Sequence, residues 1–73
     1  MIYKELDDFR KGDIIRIVLL DDTFLNIDYK NAVGTITAVD YKTGTLQGTW
    51  GKIGLYPERD DIELVKPIND NPR

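Results

Sequence analysis

The chain has 73 residues, of which 41% are hydrophobic and 32% charged, and its formal net charge is −3. This composition is typical of one small soluble domain, and a chain this short buries only roughly 60% of the surface that it exposes when unfolded. The sequence contains neither cysteine nor histidine, which excludes disulfides, thiolate metal sites, cysteine nucleophiles and histidine general bases. We therefore expect a protein that is not an enzyme and that holds no cofactor and no metal.

Two further classes are disfavoured by the same sequence. No apolar run approaches the roughly 18 residues that span a bilayer, and the first residues lack the apolar core of a signal peptide. We therefore expect a cytoplasmic protein without a membrane partner. The net charge of −3 disfavours nucleic acid as a partner, because phosphate binding needs many basic side chains.

The chain begins with a short segment followed by a strand. Leu6 and Phe9, three residues apart, predict a turn or a single helical turn within residues 3–10. The β-branched run over residues 14–20 predicts a strand. Its buried face should carry Ile15, Ile17 and Leu19.

Alternation lapses over residues 21–31, where Asp and Asn are scattered among apolar residues. We expect a loop of about eleven residues, a length that is more often functional than that of shorter connections. Its apolar residues suggest that it folds back over the domain.

Four more strands are predicted after this loop, with tight turns between them. They cover residues 32–40, 45–50, 53–56 and 62–65. Five short strands in so few residues favour a small closed β-barrel. Residues 1–65 should form this single domain, and residues 66–73 a flexible C-terminal tail.

Three segments of the chain resemble a known family. They are residues 9–17, which include Lys11-Gly12-Asp13; residues 34–40, which begin Gly34-Thr35-Ile36; and Gly48-Thr49-Trp50-Gly51. Together they resemble a family of small bacterial and phage proteins known as a domain of unknown function. The resemblance covers roughly residues 6–65 and implies an SH3-like fold without a particular activity. The expected fold class is therefore all-β, a small five-stranded SH3-like barrel with a short N-terminal segment.

A looser similarity links the chain to true SH3 domains. Residues 5–13 resemble their diverging turn, and residues 54–57 resemble the strand before their short helical turn. The tyrosine-rich motif is missing before Asp13, and no aromatic residue follows Pro57 at the expected turn. Because polyproline recognition needs an aromatic-lined groove, this similarity does not carry that function over.

Acidic doublets begin at Asp7, Asp21 and Asp60. Adjacent residues on a strand point to opposite faces, so a doublet does not by itself bring two carboxylates together. We interpret the doublets as turn-forming and solubilising. A loose divalent-cation site within residues 21–28 is the alternative.

Aromatic and basic side chains supply the candidate binding residues. Aromatic rings around a shallow groove would stack on a peptide side chain, a methylated amine or a base. For Trp50 the alternative is packing in the core, and for the lysines it is an ordinary solvated face. The candidate binding residues are Phe24, Tyr29, Lys30, Tyr41, Lys42, Trp50 and Tyr56.

These observations favour a non-catalytic binding module that contacts a protein partner through residues 21–31 and the hairpin tip at residues 41–44. A phage or mobile-element accessory protein that acts on a host protein suits the size, the acidity and the family resemblance. The alternative is a nucleic-acid-associated SH3-like barrel of the ribosomal or transcription type. A third hypothesis is a structural subunit that self-assembles through an exposed strand edge, and the sequence leaves the oligomeric state open.

Overall fold

The structure, a computed structural model, describes residues 5–68 and contains a five-stranded antiparallel sheet. The strands are β1 (Ile14–Leu19), β2 (Val33–Asp40), β3 (Thr45–Gly48), β4 (Gly51–Leu55) and β5 (Asp61–Lys66). An α-helix, α1 (Thr23–Tyr29), joins β1 to β2, and a 3₁₀ turn covers Leu6–Asp8. The predicted all-β class and its five strands are confirmed.

The sheet has the strand order β4-β3-β2-β1-β5. β2 belongs to both halves of it: Val33 and Thr35 pair with β1, whereas Ile36 and the residues after it pair with β3. Within residues 5–68 no ladder joins β4 to β5, so the sheet is open. The predicted five strands are therefore present, but their closure into an SH3-like barrel is not confirmed.

One hydrophobic core collects side chains from all five strands. The strands contribute Ile15 and Ile17 from β1, Ile36 from β2, Leu46 from β3, Leu55 from β4 and Ile62 from β5. Burial of side chains of this size contributes about 1.5–3 kcal/mol each. Leu19 was predicted to join them, but it is 48% exposed because the register shifts between Ile17 and Leu19 against β5, and Leu20 is buried instead.

Trp50 packs against two glycines, Gly34 and Gly48, and covers part of this core. A Cβ on Gly34 would lie 2.8 Å from the Trp50 backbone nitrogen, and one on Gly48 would overlap the Trp50 ring and lie 2.5 Å from the Thr35 carbonyl oxygen. The indole N–H of Trp50 donates to the Ile53 carbonyl at 2.9 Å. The glycines at these positions therefore permit the close approach of a large ring to the sheet.

The prediction of a loop over residues 21–31 is wrong, because seven of its residues form α1. The Asp22 side chain accepts hydrogen bonds from the backbone N–H groups of Phe24 and Leu25, the arrangement of an N-cap. After the helix, Asn31 takes a φ of 70°, a left-handed conformation that commonly ends helices. The segment does pack on the domain, through Tyr29, while Leu25 is 36% exposed and lines a surface groove.

The two ends of the described chain meet at Asp13. Its buried carboxylate accepts from the backbone N–H of Arg10 at 2.8 Å and from that of Ile68 at 2.9 Å. β5 runs to Lys66, so residues 66–68 of the predicted tail are held against the domain, while residues 69–73 lie outside the described residues. Over residues 5–68, no helix has the length and apolar character needed to cross a membrane.

Candidate functional site

α1 exposes a pair of large apolar side chains on the side turned away from the domain. Phe24 is 82% exposed and Ile27 is 80% exposed. They lie three residues apart and therefore share one face of the helix. The opposite face is partly covered: the Tyr29 ring packs against the core beside Gly51, while Leu25 is 36% exposed and lines a groove against β4. Both faces of this short helix thus carry apolar residues, and the face with Phe24 and Ile27 is the more exposed one.

A groove with a volume of about 360 Å³ runs between α1 and β4, and we call it the α1–β4 groove. Leu25 and Ile53 contribute apolar surface, while Asp21 and Asp22 stand on the α1 side. The remaining lining residues are Leu20, Gly54, Tyr56, Arg59 and Asp60. The groove is therefore a depression of mixed polar and apolar lining, with exposed carboxylates on its α1 side.

Asp60 holds the two walls of this groove together. Its side chain is buried, at 5% exposure. One carboxylate oxygen accepts from the backbone N–H of Asp21 and the other from that of Tyr56, both at 2.9 Å. Because these amides belong to the segment before α1 and to the residue directly after β4, one carboxylate fixes the spacing of both walls.

Tyr56 and Arg59 form a stacked pair at one end of the groove. The guanidinium carbon lies 4.1 Å from the centre of the Tyr56 ring, a cation–π arrangement. The turn that follows β4 creates it, since the Arg59 N–H donates to the Tyr56 carbonyl at 2.9 Å. The same two side chains line a second depression of about 250 Å³ beside the β2–β3 hairpin, which we call the hairpin groove.

The β2–β3 hairpin carries two of the predicted binding residues. Tyr41 and Lys42 are exposed at its tip, and the Lys42 backbone N–H is held by the Asp40 side chain at 2.9 Å. The Tyr41 hydroxyl donates to the Asp7 carboxylate at 3.0 Å. That hydrogen bond is the main cause that raises the pKa of Tyr41 above its ordinary value of 10.0.

The predicted binding residues do not form one cluster. Phe24 and Lys30 are exposed on α1 and at its C-terminal end, and Tyr56 lies in the wall between the two grooves. Tyr29 is half-buried against the core, and Trp50 is buried in it, as the packing alternative for Trp50 predicts. The surface that the structure offers is therefore α1 with the two grooves, rather than a ring of aromatic side chains.

Each acidic doublet contributes a side chain to backbone or side-chain hydrogen bonds. Asp22 caps α1, and Asp60 accepts from two backbone amides. Asp7 accepts from the Tyr41 hydroxyl, and Asp8 accepts from the Glu5 backbone N–H. In the described part of the chain no group of three acidic side chains is arranged to hold a metal ion.

Sequence reasoning missed Ile27, Arg59 and the joining role of Asp60. The signal for α1 was present: Asp22 stands at the N-cap, Leu25 and Tyr29 are four apart, and Asn31 follows the helix. Because apolar residues lie on both faces of α1, the helical periodicity does not stand out in the sequence. Nothing in the sequence pairs Asp60 with Asp21, which precedes it by 39 positions.

Comparison with family models, with curated proteins and with solved structures finds no match to this chain.

Proposed function

We propose that this protein is a non-catalytic binding module that contacts a protein partner through α1. The observation that carries the proposal is the exposure of Phe24 and Ile27, at 82% and 80%, on one face of a helix that the rest of the fold holds in place. Exposed apolar side chains that stand together, rimmed by polar residues, are typical of interaction sites.

Phe24 and Ile27 are available to a partner at little cost in conformational entropy. Transfer of each from water into an interface contributes about 1.5–3 kcal/mol, so the pair supplies a large part of a micromolar affinity of about 8 kcal/mol. The helix is already capped by Asp22 and packed against the core through Tyr29. A partner would therefore not have to order this segment.

The wider setting is part of the same proposal. A phage or mobile-element accessory protein that acts in the cytoplasm on a host protein suits the small size and the net charge of −3. The nucleic-acid alternative is less well supported, because the most exposed large side chains of α1 are apolar and the chain is acidic.

The test is affinity capture followed by measurement on the purified partner. The tagged protein is incubated with nuclease-treated lysate, the captured protein is identified and purified, and its Kd is measured for three variants. In the first, Phe24→Gln and Ile27→Gln remove both apolar side chains but keep good helix formers. The matched controls are Val33→Thr and Val65→Thr, at strand positions that are 56% and 52% exposed.

The proposal predicts that the double glutamine variant binds at least about 30-fold more weakly, corresponding to about 2 kcal/mol of lost apolar contact, while both controls bind like the original protein. Raising the salt concentration should change the affinity only modestly. Equal binding by all variants, or capture from untreated lysate that is lost with nuclease-treated lysate, would contradict it.

A further inference from the structure

The α1–β4 groove and the hairpin groove meet at Tyr56 and Arg59, which line both. Their volumes, about 360 and 250 Å³, are near or below the lower end of about 300 Å³ for small-molecule pockets. Two modest depressions on either side of the Tyr56–Arg59 pair suit an extended peptide, because such a peptide can place different side chains in the two grooves. About eight extended residues span about 27 Å, comparable to the 25 Å width of the molecule.

The charges around the two grooves define which side chains fit. The acidic lining residues of the α1–β4 groove are Asp21, Asp22 and Asp60, and that of the hairpin groove is Glu58. Arg59 is the basic residue in the lining of both grooves. Both Asp60 oxygens are occupied by backbone N–H groups. Asp21 and Asp22 are exposed, so a cation from a partner can reach them.

Apolar contact is available beside these carboxylates. Leu25 and Ile53 face the α1–β4 groove, and Leu6 faces the hairpin groove. The Tyr56 ring, with Arg59 stacked on one of its faces, stands between the two grooves and lines both of them. A bound segment would therefore alternate apolar side chains, for the grooves, with a basic side chain at Asp21 and Asp22.

We propose that the two grooves bind an extended, basic and apolar peptide segment of the partner, which crosses the Tyr56–Arg59 pair. The inference rests on the proposed function and adds the chemistry of the partner. It uses residues other than Phe24 and Ile27, so the two proposals are tested by different variants.

The probes are three synthetic peptides of about eight residues, the length that spans the domain. One alternates Arg and Leu, one has each Arg replaced by Glu, and one has each Leu replaced by Ser. Binding is measured by fluorescence anisotropy and by backbone amide chemical shifts of the labelled protein. The Arg/Leu peptide should bind most tightly and should shift amides of residues 20–25 and 53–60 together with those of Leu6, Thr43 and Gly44, which line the hairpin groove.

Three variants locate the site. Asp21→Asn should weaken binding of the Arg/Leu peptide about fivefold, as expected for one exposed charge pair. Asp28→Asn, on α1, changes the net charge of the protein by the same amount and is the control, which should bind the peptide like the original protein. Tyr56→Ser should weaken binding about tenfold, because it removes the wall that the grooves share.

Equal affinity for Asp21→Asn and Asp28→Asn, preference for the Glu peptide, or tighter binding of a single-stranded oligonucleotide would overturn the inference. If none of the peptides binds while Phe24→Gln with Ile27→Gln still abolishes partner binding, the inference fails and the proposed function stands.

Discussion

Asp60 is the residue whose replacement tests most sharply how this small domain holds its candidate site. Its buried carboxylate accepts from the backbone N–H groups of Asp21 and Tyr56, both at 2.9 Å. Hydrogen bonds to a charged group contribute about 1.5–3 kcal/mol each. Because both bonds are only partly buried, each is expected to contribute at the lower end of this range. We therefore expect Asp60→Ala, which removes both, to lower the free energy of unfolding by about 3 kcal/mol.

That loss is comparable to the whole stability of a domain of this size, which rarely exceeds about 3–5 kcal/mol. Asp60→Asn is therefore the measurable variant: its amide oxygen still accepts one N–H, while its NH₂ group faces the other, so about half of the loss is expected. Urea unfolding followed by fluorescence of the single tryptophan, the buried Trp50, gives the change. Asp28→Ala, at an exposed position of α1, is the control and should stay within about 0.5 kcal/mol.

The reasoning is refuted if Asp60→Asn and Asp28→Ala unfold at the same urea concentration. It is also refuted if Asp60→Asn loses stability while the amide signals of residues 21 and 56 remain unchanged, since those two N–H groups are the stated cause.

Two further predictions concern packing and titration. Gly48→Ala should lower the free energy of unfolding by about 1–3 kcal/mol, because the added Cβ overlaps the Trp50 ring. This loss should exceed that of Gly44→Ala, where φ is +74° but a Cβ would meet no atom within 4 Å. Equal urea midpoints for the two variants would contradict the packing argument. The Tyr41 pKa, raised by the Asp7 carboxylate, should fall toward 10.0 in Asp7→Ala when followed by the ring carbon signals in NMR. Since the folded pKa of an acid is raised, this contact favours the folded state below pH 10 and is lost as the pH rises through the raised pKa; an unchanged Tyr41 titration in Asp7→Ala would refute the assignment.

Much of the fold could be predicted from local pattern. The β-branched run at β1 and the turn before β3 placed strands within one or two residues of their observed bounds. Ile15 and Ile17 followed simple alternation into the core. Leu19 did not, because a register shift between strands distant in sequence is invisible to a period of two.

The candidate site was harder to predict, because tertiary contacts create it. The sequence shows that residues 21–31 break the strand alternation, but their helix depends on the Asp22 cap and on packing of Tyr29 against Gly51. The Tyr56–Arg59 stack and the Asp60 bridge need the turn after β4 to bring them to α1. Sequence patterns do not report which side of a short helix the fold leaves uncovered.

The most direct test of the central claim, that α1 and its grooves contact a protein partner, is chemical-shift mapping of the labelled protein with the purified partner. We expect the shifted backbone amides to cluster in residues 21–30 and 53–60. Shifts confined to the exposed strand positions around Val33 and Val65, or distributed along the β5 edge, would contradict the claim.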